Sequence, residues 1–212
     1  KKNKRLSIQT GVYYASMGQS LDYLSIYANQ AYGLVSDNYK SQYLHNYQLE
    51  NSAGTVSINS PYVVVDNRGT RVSDVSSNKA YFDISDPIFQ NLKAEIQQNF
   101  QYLEVPVLLR YKLIDRLVDF NFIGGLGANF LVGNKVYLVQ GNAREVVGET
   151  KDVSNLNISG NIGIGIEYPL MKNINIRLEP SLKYYINAIN SNSSYKSHPY
   201  ALGVYTGISY SF

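Results

Sequence analysis

The stretch that decides the fold is residues 199–212, which read PYALGVYTGISYSF. Its larger side chains stand at every second position: Tyr200, Leu202, Val204, Thr206, Ile208, Tyr210 and Phe212. Apart from Tyr205, the residues between them are small or polar. Because successive side chains of a strand point to opposite faces, this alternation predicts a strand with one apolar face and one small, polar face. A last strand that stops on an aromatic residue, with no polar tail, is typical of a barrel that closes on that strand.

Five earlier segments alternate in the same way: residues 6–17, 101–113, 118–132, 158–170 and 174–186. Each is longer than the usual globular strand and long enough for the roughly 9–11 tilted residues that cross a bilayer. Across all six segments the apolar face carries no charged residue. We therefore predict an all-β fold, a single antiparallel transmembrane β-barrel domain over residues 1–212 with six clear strands.

The composition narrows the class of protein further. Charged residues make up 17% of the chain, below the roughly 25% of a typical soluble domain. The chain has no cysteine, which excludes a disulfide framework and a cysteine-ligated zinc site. A net charge of +3, spread along the chain, is too weak to predict a nucleic-acid partner.

The connections between the segments differ in length. Residues 114–116 and 171–173 predict tight turns, whereas residues 18–99, 133–157 and 187–198 are long, polar links. Outer-membrane barrels have short periplasmic turns and long extracellular loops. We therefore expect a bacterial outer-membrane protein with its long loops extracellular and its C-terminus periplasmic.

The longest link, residues 18–99, is predicted to be an extracellular insertion. A structureless loop of that length is uncommon, so we expect it to be partly folded. Within it, Asp86 followed by Pro87 is a typical helix start. Ile88, Phe89, Leu92 and Ile96 follow at helical spacing, which predicts a helix there.

The two faces of the strands predict two sets of structural residues. The inward charges should pair in a filled lumen, since charges cannot face lipid without large cost. This predicted ion-pair network is Glu104, Arg110, Lys112, Glu167, Arg177, Glu179 and Lys183, with Asp119 beside it. Outward aromatic residues near strand ends should lie at the membrane interfaces. They are Tyr14, Phe130, Tyr184 and Tyr200 at the outer interface and Tyr111, Phe120, Tyr168, Tyr210 and Phe212 at the periplasmic one.

The signal for an active site is weak, and we predict no catalytic residue, no cofactor and no metal site. The two histidines, His45 and His198, fall in loops or at a strand edge. A lipid-modifying pair of Ser197 and His198 is an alternative, but no carboxylate is spaced to orient the imidazole. A glycosidase pair of Glu104 and Glu179 is weaker, because a narrow lumen leaves no room for a sugar.

Several short motifs resemble a known family. They are Tyr-Leu-Glu-Val-Pro at residues 102–106, Gly-Gly-Leu-Gly at 124–127, Leu-Glu-Pro at 178–180 and Gly-Ile-Ser-Tyr-Ser-Phe at 207–212. In their order and spacing the chain resembles the PorT-type outer-membrane β-barrel family of Bacteroidota, over residues 6–17 and 100–212. The resemblance implies a barrel of eight strands in which residues 5–11 belong to the third. We therefore expect two strands upstream of residue 1, the alternative being a hairpin supplied by residues 39–66.

The resemblance also implies one of three settings: a stand-alone barrel, a component of type IX secretion and gliding, or the C-terminal barrel of a dual membrane-spanning anti-sigma factor. The expected partners are outer-membrane lipid, the barrel-assembly machinery through the last strand, and a periplasmic or outer-membrane protein. We expect a non-enzymatic anchor or surface-sensing component. Two competing hypotheses are a secreted β-sandwich that serves as an adhesin or binding module, and a solute pore.

Overall fold

The computed structural model describes residues 5–29, 44–66, 72, 85–114, 116–171, 173–191 and 196–210. These residues form thirteen strands. They are β1 (Leu6–Thr10), β2 (Tyr13–Ser20), β3 (Leu24–Asn29), β4 (His45–Asn51), β5 (Gly54–Ser60), β6 (Val63–Asp66), β7 (Phe89–Asn91), β8 (Glu95–Ile114), β9 (Asp119–Gln140), β10 (Ala143–Lys151), β11 (Leu156–Met171), β12 (Ile174–Tyr185) and β13 (Tyr200–Tyr210). None of the described residues forms a helix long and apolar enough to span a membrane.

One antiparallel sheet forms the wall of the predicted barrel. Its order is β1 and β2, then β8, β9, β11, β12 and β13. The six alternating segments of the sequence are therefore neighbours in this sheet, in the order in which they follow one another along the chain. The first segment is split into two strands by a break at residues 11 and 12. In the described residues, β13 and the β1–β2 pair are the two edges of this wall.

The outward face of the wall is apolar over a limited height. On β8 it presents Leu103, Val107, Leu109, Tyr111 and Leu113, each between 38% and 56% exposed. From residue 103 to residue 113 is roughly 33 Å of strand, which a tilt of about 40° turns into about 25 Å of height. That height matches the apolar band of an outer-membrane barrel.

Above this band, β8 and β9 continue without a break. On β8 the outward residues become polar, with Gln97, Asn99 and Gln101 in place of leucine and valine. The β8–β9 register shifts at Gln101 and Tyr102, which marks the same level. The outward residues of β8 therefore change from apolar to polar at one height on the molecule, while the hydrogen bonds between β8 and β9 continue above it.

The upper part of the molecule, which we call the extension, has a core of its own. It comprises β3 to β7, β10 and the parts of β8 and β9 above the shift. β10, β5 and β4 continue the main sheet from β9, and β6, β3 and β7 form a second sheet. Thirteen buried residues fill the space between them, Ile96, Tyr47 and Val136 among the most deeply buried.

Two predictions about this region were wrong. Residues 133–157 are not a polar loop, because they complete β9, turn at Gly141 and return as β10. The helix predicted from Asp86 does not form either. The Asp86 carboxylate does accept a hydrogen bond from the Ile88 amide, at 3.0 Å, but the chain then enters strands β7 and β8. The tertiary pairing of β3 with β7 overrides the local helix signal.

Residues 39–66 contain a hairpin, β4 and β5, but not as the two barrel strands that the alternative expectation supposed. Its second strand pairs with β10 in the extension. The hairpin therefore lengthens the sheet at the top of the molecule and does not lie between β13 and β1.

Candidate functional site: a ladder of side chains across the lumen

The inward face of β8 meets the inward face of β12, although β9 and β11 lie between them in the sheet. The Tyr102 and Tyr185 rings lie 6.3 Å apart between centroids. One step further down, Lys183 bonds Glu104 through its ammonium group. These contacts between strands that are not neighbours show that the wall curls round an interior, which we call the lumen.

These side-chain contacts across the lumen form a series, which we call the ladder. A second ion pair continues it toward the short turns. The Arg110 guanidinium bonds the Glu179 carboxylate, and the same Nη2 atom donates to Gln9 Oε1 at 2.6 Å. Like Glu104 and Lys183, the Arg110 and Glu179 side chains are at most 12% exposed. Buried charges are tolerated when each has a partner and hydrogen bonds, as these have.

Two further pairs lie nearer the short turns and are more open to solvent. Lys112 Nζ is 2.6 Å from Asp119 Oδ2. Arg177 Nε is 3.5 Å from Glu167 Oε1, and the same carboxylate oxygen accepts hydrogen bonds from Asn175 at 2.7 Å and from Ser209 at 3.1 Å. All seven residues of the predicted network, with Asp119, thus stand in four pairs of opposite charge.

Between the two buried ion pairs is a cavity of about 60 Å³. Its lining includes Glu104 and Pro106 from β8, and Glu179 and Ser181 from β12. The Tyr13 and Tyr205 rings, from the two edge strands, meet beside it with their centroids 6.0 Å apart. A space of this volume holds a few water molecules and no larger solute.

Glycines on the wall make room for these inward groups. A Cβ on Gly165 would lie 2.7 Å from Arg110 Nη1, and one on Gly127 would lie 2.9 Å from Ser159 Oγ and 3.1 Å from Glu104 Oε1. Both glycines therefore have a neighbour closer than real Cβ atoms tolerate. The glycine motifs provide space for lumen side chains.

The sequence did not identify a polar cluster higher in the lumen. Asn129 Nδ2 donates to the Asn157 carbonyl and to Ser159 Oγ, each at 3.0 Å. All three residues are fully buried. Their inward positions were readable from the alternation of β9 and β11, but uncharged residues gave no signal that they would form a cluster.

A mainly apolar layer closes the top of the ladder. Its buried members come from the wall and from the loops above it: Phe100, Tyr102, Tyr185, Ile189 and Ala53. Ala53 belongs to the turn between β4 and β5, so a part of the extension reaches the mouth of the lumen.

The predicted interface aromatics whose side chains the structure describes point away from the lumen. Tyr14, Tyr111, Phe130, Tyr168, Tyr184 and Tyr200 are all exposed, and Phe120 is half-buried. Tyr14, Leu103 and Phe130 stand side by side in the register of β2, β8 and β9, at the top of the apolar band. The backbone of Tyr210 ends β13, and Phe212 lies outside the described residues.

The candidate catalytic residues have other contacts. His198 Nδ1 lies 3.2 Å from the Tyr185 carbonyl oxygen, and its ring stacks on Tyr184. The backbone amide of Ser197 donates to Asn190. In the described part of the chain no carboxylate contacts either residue, and no group of three His, Asp or Glu side chains could hold a metal ion.

Two features together define the molecule: an apolar outward band of membrane height, and a curled antiparallel wall whose interior is filled by paired charges. Comparisons with curated proteins and with solved structures give no match. A family model described as "Outer membrane protein beta-barrel domain" matches residues 1–194. This chain is therefore a member of the outer-membrane β-barrel family, and the β-sandwich alternative does not fit it.

Proposed function

We propose that the protein is a non-enzymatic outer-membrane anchor that holds a folded extension on the cell surface, as a structural or surface-sensing component. The observation that carries the proposal is the filled lumen. Two buried ion pairs cross it and leave a cavity of about 60 Å³, and an aromatic layer closes its top. A barrel so filled supports a role in holding rather than in transport.

The orientation belongs to the same proposal. The turns at residues 114–119 and 171–174 join wall strands directly, whereas the opposite ends of the strands carry the extension. Short turns are periplasmic in bacterial barrels, so the extension lies outside the cell. Lipid then covers the apolar band, and β13 is the strand offered to the assembly machinery.

Conductance in planar lipid bilayers tests the filled lumen. We expect no channel from the full chain, and the charge-neutral variant Glu104→Gln/Lys183→Met should also stay closed, since it keeps the bulk of both side chains. Stable, ohmic channels from the parent chain would contradict the proposal and favour the solute pore.

The analysis of lipid A tests the enzyme alternative. Lipid A that is unchanged by the parent, by Ser197→Ala and by His198→Ala is the result expected of a protein that is not an enzyme.

The PorT-type resemblance refines the proposal to one of three settings. The intact mass and N-terminal sequence of the native protein, taken from the outer-membrane fraction, distinguish them. A mass near 23.8 kDa would favour a stand-alone barrel and would contradict the expectation of two strands upstream. A larger protein with an inner-membrane helix and a cytoplasmic domain would favour the anti-sigma setting.

A further inference from the structure

We propose that the tip of the β4–β5 hairpin, residues 51–54, is a stopper that closes the lumen toward the extension. This stopper rests on the membrane-spanning anchor proposed above and adds a closure to its lumen. The stopper belongs to the extension, whereas the surface that it covers belongs to the wall.

The tip has a shape suited to insertion. The Asn51 side chain accepts a hydrogen bond from the Ala53 amide at 2.8 Å, which tightens the turn. Gly54 has a φ of 134°, and a Cβ there would lie 2.6 Å from the Lys151 carbonyl oxygen, so only glycine fits. As a result Ala53, at 4% exposure, is the residue that enters the apolar layer.

What the tip covers is the top of the ladder. Tyr102 and Tyr185 meet Ala53 in one cluster, and the next inward residues on the same strands are Glu104 and Lys183. Removing the tip would take Ala53 out of this layer and leave Phe100, Ile189 and the two tyrosine rings between the buried ion pair and the water above.

Polar contacts hold the rim of the tip to three separate segments. Asn51 Nδ2 donates to Gln98 Oε1 at 2.7 Å on β8. Asn190 Nδ2 donates to the Ser52 carbonyl at 3.2 Å. Thr55 Oγ1 donates to Asp152 Oδ2 at 3.1 Å.

Two of these partners, Gln98 and Asn190, are themselves buried, and the apolar centre of the tip is the single methyl group of Ala53. The pairing of β4 with β5 runs down to Asn51 and Gly54 in the tip itself, and β5 pairs with β10 from Thr55, so the backbone holds the tip in place over the layer.

Thiol labelling tests the stopper, because the chain has no cysteine. Ser181→Cys places a thiol in the cavity below the layer. The full chain is reconstituted into lipid vesicles with the extension outward, and a small charged methanethiosulfonate reagent is added outside. Asn142→Cys, in the exposed β9–β10 turn, and Arg116→Cys, in a short turn, report the orientation.

We expect Ser181→Cys to react slowly in the parent chain. Adding Ala53→Glu, which forces a carboxylate into the apolar layer, should raise the rate roughly tenfold or more, the factor that about 1.4 kcal/mol of opening free energy makes. Gln48→Glu puts the same charge on an exposed position of the same hairpin and should leave the rate unchanged. Asn51→Ala/Asn190→Ala, which removes two of the three rim contacts without adding charge, is the second opening variant.

Fast reaction of Ser181→Cys in the parent chain would overturn the stopper. So would an unchanged rate in both opening variants while each still migrates as a folded barrel on unheated gels. Full reaction of both Asn142→Cys and Arg116→Cys from one side would instead show that the chain does not span the bilayer, and that result contradicts the proposed function.

Discussion

At the scale of single residues, the lumen charges follow from what a membrane excludes. A charge that cannot face lipid must face inward, so alternation alone placed Glu104, Arg110, Glu179 and Lys183 on the lumen side. Which of them would pair was not readable. The pairs join β8 to β12, which are separated in the sheet by β9 and β11. Which residues of β8 and β12 face each other depends on the bulges and the tilt of the strands between them, and the local sequence pattern does not indicate either.

The Glu104–Lys183 pair gives the sharpest test of the filled lumen. Glu104→Gln leaves the Lys183 ammonium buried without a counter-charge, which should lower the free energy of unfolding by about 3–5 kcal/mol. Glu104→Gln/Lys183→Met should recover most of that loss. Urea unfolding in detergent measures both.

The matched control for that pair is Asp119→Asn, which removes the partner of the more exposed Lys112. Its cost should stay within about 1 kcal/mol. Equal losses for Glu104→Gln and Asp119→Asn would contradict the burial of the upper pair.

Gly165 should matter through the space it leaves. Gly165→Ala puts a methyl against Arg110 Nη1, the movable end of its side chain, and should cost about 1 kcal/mol of stability by pushing the guanidinium from Glu179. Gly203→Ala, on β13, meets nothing within 4 Å and serves as control. If the two substitutions cost the same in urea unfolding, the steric argument for Gly165 fails.

At the scale of elements, one strand carries two kinds of environment. Below Leu103, β8 has apolar residues outward and charges inward. Above it, glutamine and asparagine face outward and Ile96 faces the core of the extension. The sequence pattern was clear where lipid imposes it and ambiguous above, where half-buried strands mix both kinds of residue.

This ambiguity explains the wrong helix. Ile88, Phe89, Leu92 and Ile96 have helical spacing, yet Phe89 belongs to β7 and Ile96 to β8. Their spacing reflects the short strand β7 and the start of the long strand β8, joined by a turn at Lys93, whose φ of 47° interrupts the extended backbone. Only the pairing of β7 with β3, about 60 residues away in the chain, decides between the two interpretations.

The two environments of β8 predict different losses of stability when an arginine is placed on its outward face. Leu109→Arg puts a charge in the apolar band and should destabilise the barrel in lipid vesicles by about 2–4 kcal/mol. Gln97→Arg, on the same face above the band, should change stability by less than about 0.5 kcal/mol. A similar loss for both would mean that the band extends above Leu103.

Tyr62, which precedes β6, predicts a pH dependence of the extension. Burial first, and then the Glu145 carboxylate to which its hydroxyl donates at 3.1 Å, raise the pKa of Tyr62 above 10.0. The unfolded chain then loses this proton at lower pH than the folded one, so the contribution is complete below pH 10 and is lost as pH rises through the folded pKa. Tyr62→Phe should therefore lose less stability than the parent as the pH rises above about 10. Pulse proteolysis of the extension measures it, and parallel curves for both proteins would contradict the raised pKa.

At the scale of the whole molecule, the protein has two cores of different kinds. The extension is held by apolar burial like a soluble domain, whereas the wall is held by the backbone hydrogen bonds between its strands and by its lumen pairs, with an apolar outward band. Urea weakens apolar burial in water, so the extension should unfold first. The sequence predicted the wall from six repeating patterns, but the core of the extension joins residues from Leu21 to Val147 and has no repeating pattern to read.

Proteolysis after increasing urea tests this order. We expect the extension to become cleavable while the barrel still migrates as a folded species on unheated gels. Ile58→Ala, in the core of the extension, should move only the first transition, by about 2–5 kcal/mol. A single transition that shifts as a whole would show that the two cores unfold as one.

The uninterrupted course of β8 and β9 has a mechanical consequence. Roughly 26 Å of β8 lies above Leu103, and it stays hydrogen-bonded to β9 to its end with no linker in between. The extension is therefore rigidly joined to the wall and is not a domain on a flexible linker. Whatever it bears is held at a fixed height and heading above the bilayer, and a sideways load on its far end becomes a torque on the wall itself.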